Sequence, residues 1–468
     1  MRFGDFVFEE WRILRRHGIA IPALVGLTLL LLGAALNGRA VVGMHAVAMA
    51  ALQSEAATTR SAMAAQAGRG VKTAMEPGAM GFSVLDAPAI LPAAALGVLA
   101  TGQVDLLPSH YAVTARAEHT FMSSTELDNP LRLAIGSFDV AFVIVWLLPL
   151  VVIALCFDLV SGDRERGVLA LAAAAGVRLG PFIFGKCAAR AAILLVALTI
   201  ALILAGLAAG IGWGASNALG LYALWIAAST LYALFWFAIC MFVNSVPRTS
   251  DSNAGILAAM WLLFVVVSPA LTNLAATTVF PAPSRVALTT ELREATEIAD
   301  RESAKARDRY FFDHPDMQSS AMDTGAYYRS VAQSETQVSR AMRPLLEAFD
   351  TQAQRQQTIV NALQYLSPGT LIYQVLTALA GSDGQRHREF RSQVRVFHSR
   401  WSGFFVERLA IGSALTGSDY QQLPQFRFGE PVTRQVIDRT AAPLLLLLFL
   451  TVLLGWWAVR RLARFPIV

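Results

Sequence analysis

Six predominantly apolar stretches, 19–36, 138–158, 188–211, 218–243, 254–276 and 441–459, constrain this chain more than any other feature. A helix needs about 20 mostly apolar residues to cross roughly 30 Å of hydrocarbon. Inside a bilayer the backbone must satisfy its own hydrogen bonds, so such blocks become helices. The expected class is an all-α integral membrane protein with six transmembrane helices. Hydrophobic residues make up 55% of the chain and charged residues only 15%, whereas soluble domains carry about a quarter charged residues. That balance excludes a disordered chain, and three cysteines among 468 residues exclude a disulfide scaffold. The net charge of +5 does not signal nucleic acid, because the cations are not pooled into a groove or stripe.

The cations sit at the ends of the apolar blocks instead. Arg12, Arg15 and Arg16 precede the first. Arg164, Arg166, Arg178, Lys186 and Arg190 lie between or beside the second and third. Arg248 separates the fourth and fifth, and Arg460, Arg461 and Arg464 follow the sixth. Six alternating spans place all of them on one side, so the positive-inside rule makes both termini (1–18 and 460–468) cytoplasmic. The basic start and the small residues Gly33, Ala34 and Ala35 resemble a signal peptide. Residues 3–16 argue for an uncleaved first span. Phe3, Phe6, Val7, Trp11 and Leu14 recur at helical spacing opposite Glu9, Arg12 and Arg16, the pattern of an amphipathic interfacial helix.

More than half the chain falls in two segments on the other side, 37–137 and 277–440, which are expected to be periplasmic. The first reads as mixed and mostly irregular after residue 76, with Pro77, Pro88, Pro92 and Pro108 breaking it up. The second reads as helical, making a large and mainly helical ectodomain. Val331, Val338, Met342, Leu345 and Phe349 form one stripe; Phe390, Val394, Phe397, Trp401, Phe405 and Leu409 form another. Residues 381–384 form a turn between a shorter helix at 370–380 and the last one. The stripes read as packing faces, and Gln352, Gln354, Gln356 and Gln357 as a solvated helix face.

Several apparent sites fail on their chemistry. Residues 180–187 fit GxxxxGK, but Pro181 lacks an N–H, bulky Phe182, Ile183 and Phe184 line the turn, and Cys187 replaces the magnesium-binding hydroxyl. Met44, His45 and Met49 offer soft ligands for copper(I) but have no completing set. His387 and His398 share a helix face that reads as solvated. No HExxH, GxSxG or CxxC occurs, and Asp139 and Asp158 sit at span ends rather than mid-bilayer. No catalytic, metal-binding or cofactor-binding residue is assigned.

What remains is the loop at 159–187. Its charged knot, Asp163, Arg164, Glu165, Arg166 and Gly167, is followed by a short apolar helix, which suits docking of a soluble partner. The knot with its downstream Gly185 and Lys186 resembles the coupling region of ABC-2-type ABC transporter permeases. The wider match is to the subgroup carrying the domain of unknown function 3526, related to the permease of nitrous-oxide-reductase maturation. Its hallmarks stand at Leu106 to Pro108, Asn129, Pro130, Gly136 to Asp139, and Leu147 to Pro149. Further hallmarks are Leu366 to Pro368, Ala380 to Asp383, His387 to Phe390, Phe397 and His398.

The resemblance implies an export-type permease subunit in a bacterial inner membrane, paired with a second copy or a paralogue on a cytoplasmic ABC ATPase dimer. ATP and magnesium would bind in that partner, and this chain would not itself be an enzyme. Residues 163–167 would transmit the ATP-driven movement, with Glu9 and Glu10 as further contacts. A periplasmic protein and membrane lipid complete the expected partners, and nucleic acid is not among them. The alternatives are a mechanotransmitter that acts on a periplasmic partner without transport, and a secondary carrier.

Overall fold

The computed structural model describes residues 3–16, 18–102, 107–122, 138–177, 179–214, 217–279 and 324–462, with scattered positions between 290 and 312. Leu106, Asn129, Pro130, Gly136, Ser137, Arg178 and Arg464 lie outside the described residues, as do the side chains of Phe3, Leu345, Phe349, Gln356 and Gln357. The chain is mostly helical, and six helices are long and apolar enough to cross a membrane. They fall where the six apolar blocks lie, as in a multi-pass membrane protein.

Helix α1 is Phe3–Arg16, and α2 runs unbroken from Ala20 to Gly68. At about 1.5 Å per residue, the 49 residues of α2 reach more than twice the thickness of hydrocarbon. The apolar block ends at 36 but the helix does not, because residues 40–68 are rich in alanine and contain no proline. It stops at Gly70, whose φ of 77° lets its N–H turn back to the carbonyl of Ala67 at 3.0 Å.

The second span, α3 (140–156), is followed by two short helices, α4 (Ser161–Glu165) and α5 (Val168–Ala174). The remaining span helices of the first half are α6 (Leu179–Ala209), α7 (Ala218–Asn244) and α8 (250–279). Two prolines reshape α3 and α8 in the same way. Pro149 has no N–H for the carbonyl of Val145, the helix widens into a π-helical stretch over Val143–Leu147, and the Tyr232 hydroxyl donates to that carbonyl at 3.2 Å. Pro269 follows a similar stretch over Leu262–Val267, where the Ser367 hydroxyl donates to the carbonyl of Phe264 at 2.7 Å.

The second half contains α9 (Thr324–Leu363), α10 (Pro368–Ala380), α11 (Gly384–Ile411) and the last span, α12 (Thr433–Leu462). Helix α7 is the most enclosed span. It carries fully buried Trp225, Tyr232 and Trp236 and is packed by α12, α10 and α3. Helix α10, where a shorter helix is expected at 370–380, packs into the span bundle. Its Leu371, Ile372, Val375, Leu376 and Leu379 belong to the core of the span bundle, and Trp225 Nε1 donates to the carbonyl of Leu376 at 3.2 Å. Thirteen residues are too few to cross a bilayer, and a helix of that length suits a re-entrant or buried element. Ser367 caps it by accepting from the N–H of Thr370 at 3.1 Å.

A second hydrophobic core lies around the far part of α2. It contains a two-stranded antiparallel sheet, β1 (Ala87–Ile90) with β2 (His110–Val113), in which Ala87 pairs with Val113 and Ile90 with His110. The aromatic stripe of α11 is buried here at all six positions, Phe390 to Leu409. Gly81 permits this packing, since a Cβ there would run into the Phe405 ring. His387 departs from the expected solvated face: it is 7% exposed and packs near Phe390. His398 bonds the carbonyl of Arg116 at 2.7 Å. The residue pattern marked the face correctly as shared but not as covered, because the chain that covers it comes from more than 250 residues earlier.

Candidate functional site

The Arg-rich end of the bundle buries four charges together. Helix α1 lies across the start of α6, with Leu14 buried and the Phe6 ring 6.1 Å from that of Phe182. Gly185 allows the approach, because a Cβ there would sit about 3.0 Å from the Phe6 ring. This places Glu10, only 3% exposed, against the first turns of α6. Its carboxylate accepts from Arg190 Nε at 3.0 Å and lies 3.0 Å from Arg190 Nη2 and 3.7 Å from Lys186 Nζ. Lys186 also pairs with Asp163 of the knot, and Arg190 donates to the carbonyl of Leu155 at 2.7 Å.

Two carboxylates therefore oppose two cations, and all four residues are less than 10% exposed. Half-exposed Arg166 (3.1 Å from Asp163) and Asp158 (3.4 Å from Arg190) extend the cluster toward its edge. A buried charge without its partner is strongly unfavourable, by about 3–5 kcal/mol, so each of the four holds the others in place. Three separate elements, α1, the knot and α6, are joined by this one neutral set.

The knot faces two ways. Asp163 points into the cluster, whereas Glu165 is exposed and accepts from the N–H of Ser250 at 2.7 Å and its hydroxyl at 2.9 Å. Glu165 thus caps the start of α8, where a carboxylate is favoured by the helix dipole. Arg164 donates to the carbonyl of Arg248 at 2.9 Å. Gly167 adopts φ 72°, which ends α4 and turns the chain into α5. Helix α5 buries Leu169 but leaves Leu171 73% exposed, with Val168 and Val177 beside it. Glu9 is exposed and near Arg12 at 4.0 Å. The structure thus brings Glu10 and Asp163 together, sets Arg164, Glu165 and Arg166 at the rim, and leaves Glu9 apart.

Sequence reasoning read Lys186 and Arg190 as flanking cations and missed that they are the counterions of Glu10 and Asp163. The available signal was the GxxxxGK string. Residues 180–187 are the first turns of α6, so no loop is present to cradle phosphate, and the lysine serves a carboxylate instead. A second polar knot was also missed. Asn244 donates to the carbonyls of Cys156 and Cys240 and accepts from Asn253, tying α3, α7 and α8 together. Asp139 caps α3 through the N–H of Phe142 at 2.7 Å and accepts from the N–H and hydroxyl of Thr101. No cluster of three His, Cys, Asp or Glu occurs among the described residues, and Cys156, Cys187 and Cys240 are buried and unpaired.

Residues 285–429, a third of the chain that includes α9, α10 and α11, match the model of a domain of unknown function, DUF3526. No curated protein matches the chain.

Proposed function

We propose that this chain is the transmembrane permease subunit of an ATP-driven, ABC-2-type ABC transporter of export type. It sits in a bacterial inner membrane with both termini cytoplasmic and works with a second copy or a paralogue on a cytoplasmic ATPase dimer. ATP and magnesium act in that partner. One observation carries this reading: the 163–167 knot is anchored inward and free outward. Through Asp163 it grips Lys186 of α6, which in turn holds Glu10 of α1, and through Glu165 and Arg164 it grips the start of α8. Its outer rim, Arg166 and the exposed Leu171 edge of α5, offers charge and apolar surface to a soluble protein. A force applied at that rim moves three helices together.

The test is purification of the intact complex from its native membrane with identification of the co-eluting subunits. An ABC ATPase is expected, and its stimulation by this subunit is expected to disappear in Arg166→Glu combined with Leu171→Asp while membrane insertion persists. Recovery without any ATPase, or unchanged stimulation, rejects the proposal. The mechanotransmitter reading has one observation in its favour. Helix α2 joins the bundle to the second core without a break over 49 residues, so movement at its base is delivered far from it. Reconstituted vesicles that hydrolyse ATP without moving solute, while a periplasmic protein is retained, select that alternative.

A further inference from the structure

An apolar groove of about 820 Å³ runs between α1, α2 and α6 at the Arg-rich end of the bundle. Phe8 and Trp11 form one wall, Val25 and Leu29 the second, and Val196 and Ile200 the third. Phe8, Leu29, Val196 and Ile200 are each more than half exposed, so the groove is uncovered among the described residues. The one hydroxyl that lines it, that of Thr28, donates to the carbonyl of Leu24 at 2.8 Å, so the groove suits hydrocarbon. Its α6 wall, Ala192 to Ile200, is about 12 Å long at 1.5 Å per residue. One leaflet offers about 15 Å of hydrocarbon, half of the whole core. The groove therefore has the length of a single leaflet.

The rim of the groove is basic. On α1, Phe8, Trp11, Arg12 and Arg15 stand at three-, four- and seven-residue spacing, so two exposed arginines share the face that carries the two rings. The described carboxylates of α1 do not cancel this charge. Glu10 is turned inward to Arg190 and Lys186, and exposed Glu9 lies 4.0 Å from Arg12. The chain turns at Gly18, with φ 66°, into α2, which keeps the last turn of α1 at the foot of that span. Trp11, 41% exposed, stands between the apolar wall and the cations, as tryptophans do at a membrane interface. A hydrocarbon slot with a cationic rim complements a molecule that joins an acyl chain to an anionic head. An apolar helix from a second copy would match the slot but not the arginines.

We propose that this groove seats one anionic phospholipid of the leaflet on that side, with an acyl chain along Val25, Leu29, Val196 and Ile200 and the phosphate on Arg12 and Arg15. Helix α1 is then held from two faces, by Glu10 on its inner side and by the lipid on its outer side. A ligand bound only to the folded arrangement stabilises it, so the lipid reinforces the joint between α1 and α6. The proposal rests on insertion of the six long helices in a membrane and on no ATPase partner.

The full chain is reconstituted in nanodiscs that mix phosphatidylcholine and phosphatidylglycerol equally, and the lipids it retains on release are read by native mass spectrometry. Wild type is expected to retain phosphatidylglycerol in preference, and to unfold at a higher temperature than in phosphatidylcholine alone. Arg12→Gln and Arg15→Gln should each cut the preference by roughly fivefold, and Arg12→Lys with Arg15→Lys should keep most of it. Ala197→Phe, which fills the groove and leaves the arginines in place, should lower retention as well. Equal retention of both lipids by inserted wild type overturns the seat, as does a preference that survives the arginine and Ala197 variants. The native cysteines are buried, so disulfide-linked dimers of Val196→Cys alone would show a second copy in the groove and overturn the lipid. A chain that fails to enter nanodiscs overturns this proposal together with the six-span reading, whereas the other adverse outcomes overturn this proposal alone.

Discussion

The two ends of the helix bundle bury polar groups on opposite terms. At the Arg-rich end, Glu10, Asp163, Lys186 and Arg190 are enclosed and paired. At the other end, Arg439 and Asp383 line an open cavity, 3.5 Å apart and each partly exposed. Burial exacts desolvation in both places. Where partners are supplied from within, the result is a rigid joint between α1, the knot and α6. Where the bundle opens to a cavity, the charges stay partly exposed and their pair is looser. The same bundle thus holds a closed joint and an open polar cavity, and the contrast is open to attack from either side.

The largest effect is expected at the closed joint. Glu10→Gln should destabilise the protein by about 3 kcal/mol, because buried Arg190 then keeps only the more distant Asp158 as counterion. The double variant Glu10→Leu with Arg190→Leu should recover much of that loss, since apolar replacement of a buried pair is often neutral. Thermal unfolding in detergent reads both. If Glu10→Gln is silent, the joint is not what holds α1 to α6.

Acid should act on the unit beside that cavity. Burial first, then the nearby Arg391 and Arg388, push the His387 imidazole down to about 4, and His398 is lowered as well, chiefly by burial. A histidine with a depressed folded pKa favours the folded state fully above its unfolded value near 6.5. That contribution is lost as pH falls from about 6.5 toward about 4, to the extent of roughly 3 kcal/mol for His387. Hydrogen exchange in α11 between pH 7 and pH 4.5 should rise steeply in the wild type and less in His387→Gln. Equal slopes would remove His387 from the account.

The smallest expected effect tests how α10 is held between the two ends. Ser367→Ala removes both the cap on α10 and the bond to the Phe264 carbonyl, and should destabilise by about 1 kcal/mol. Local exchange at 368–380 is the sensitive measure. No change there would mean that apolar packing alone seats the helix.

Much of this architecture is legible in the residues. The six apolar blocks specify spanning helices because a lipid-exposed backbone has no other way to satisfy its hydrogen bonds. The stripe from Phe390 to Leu409 specifies a buried helix face because helical spacing aligns those side chains. The knot at 163–167 stands out as the charged interruption between two such blocks. Other features depend on distance in three dimensions. That α10 sits among the spans follows from Trp225 and Phe264, more than 100 residues away, and not from its own thirteen residues. That Glu10 faces inward and Glu9 outward depends on Lys186 and Arg190, some 180 residues on. Periodicity along a chain records which side chains share a face. Only folding decides what meets that face, because counterions and cavity walls are drawn from segments whose separation along the chain carries no trace of their proximity.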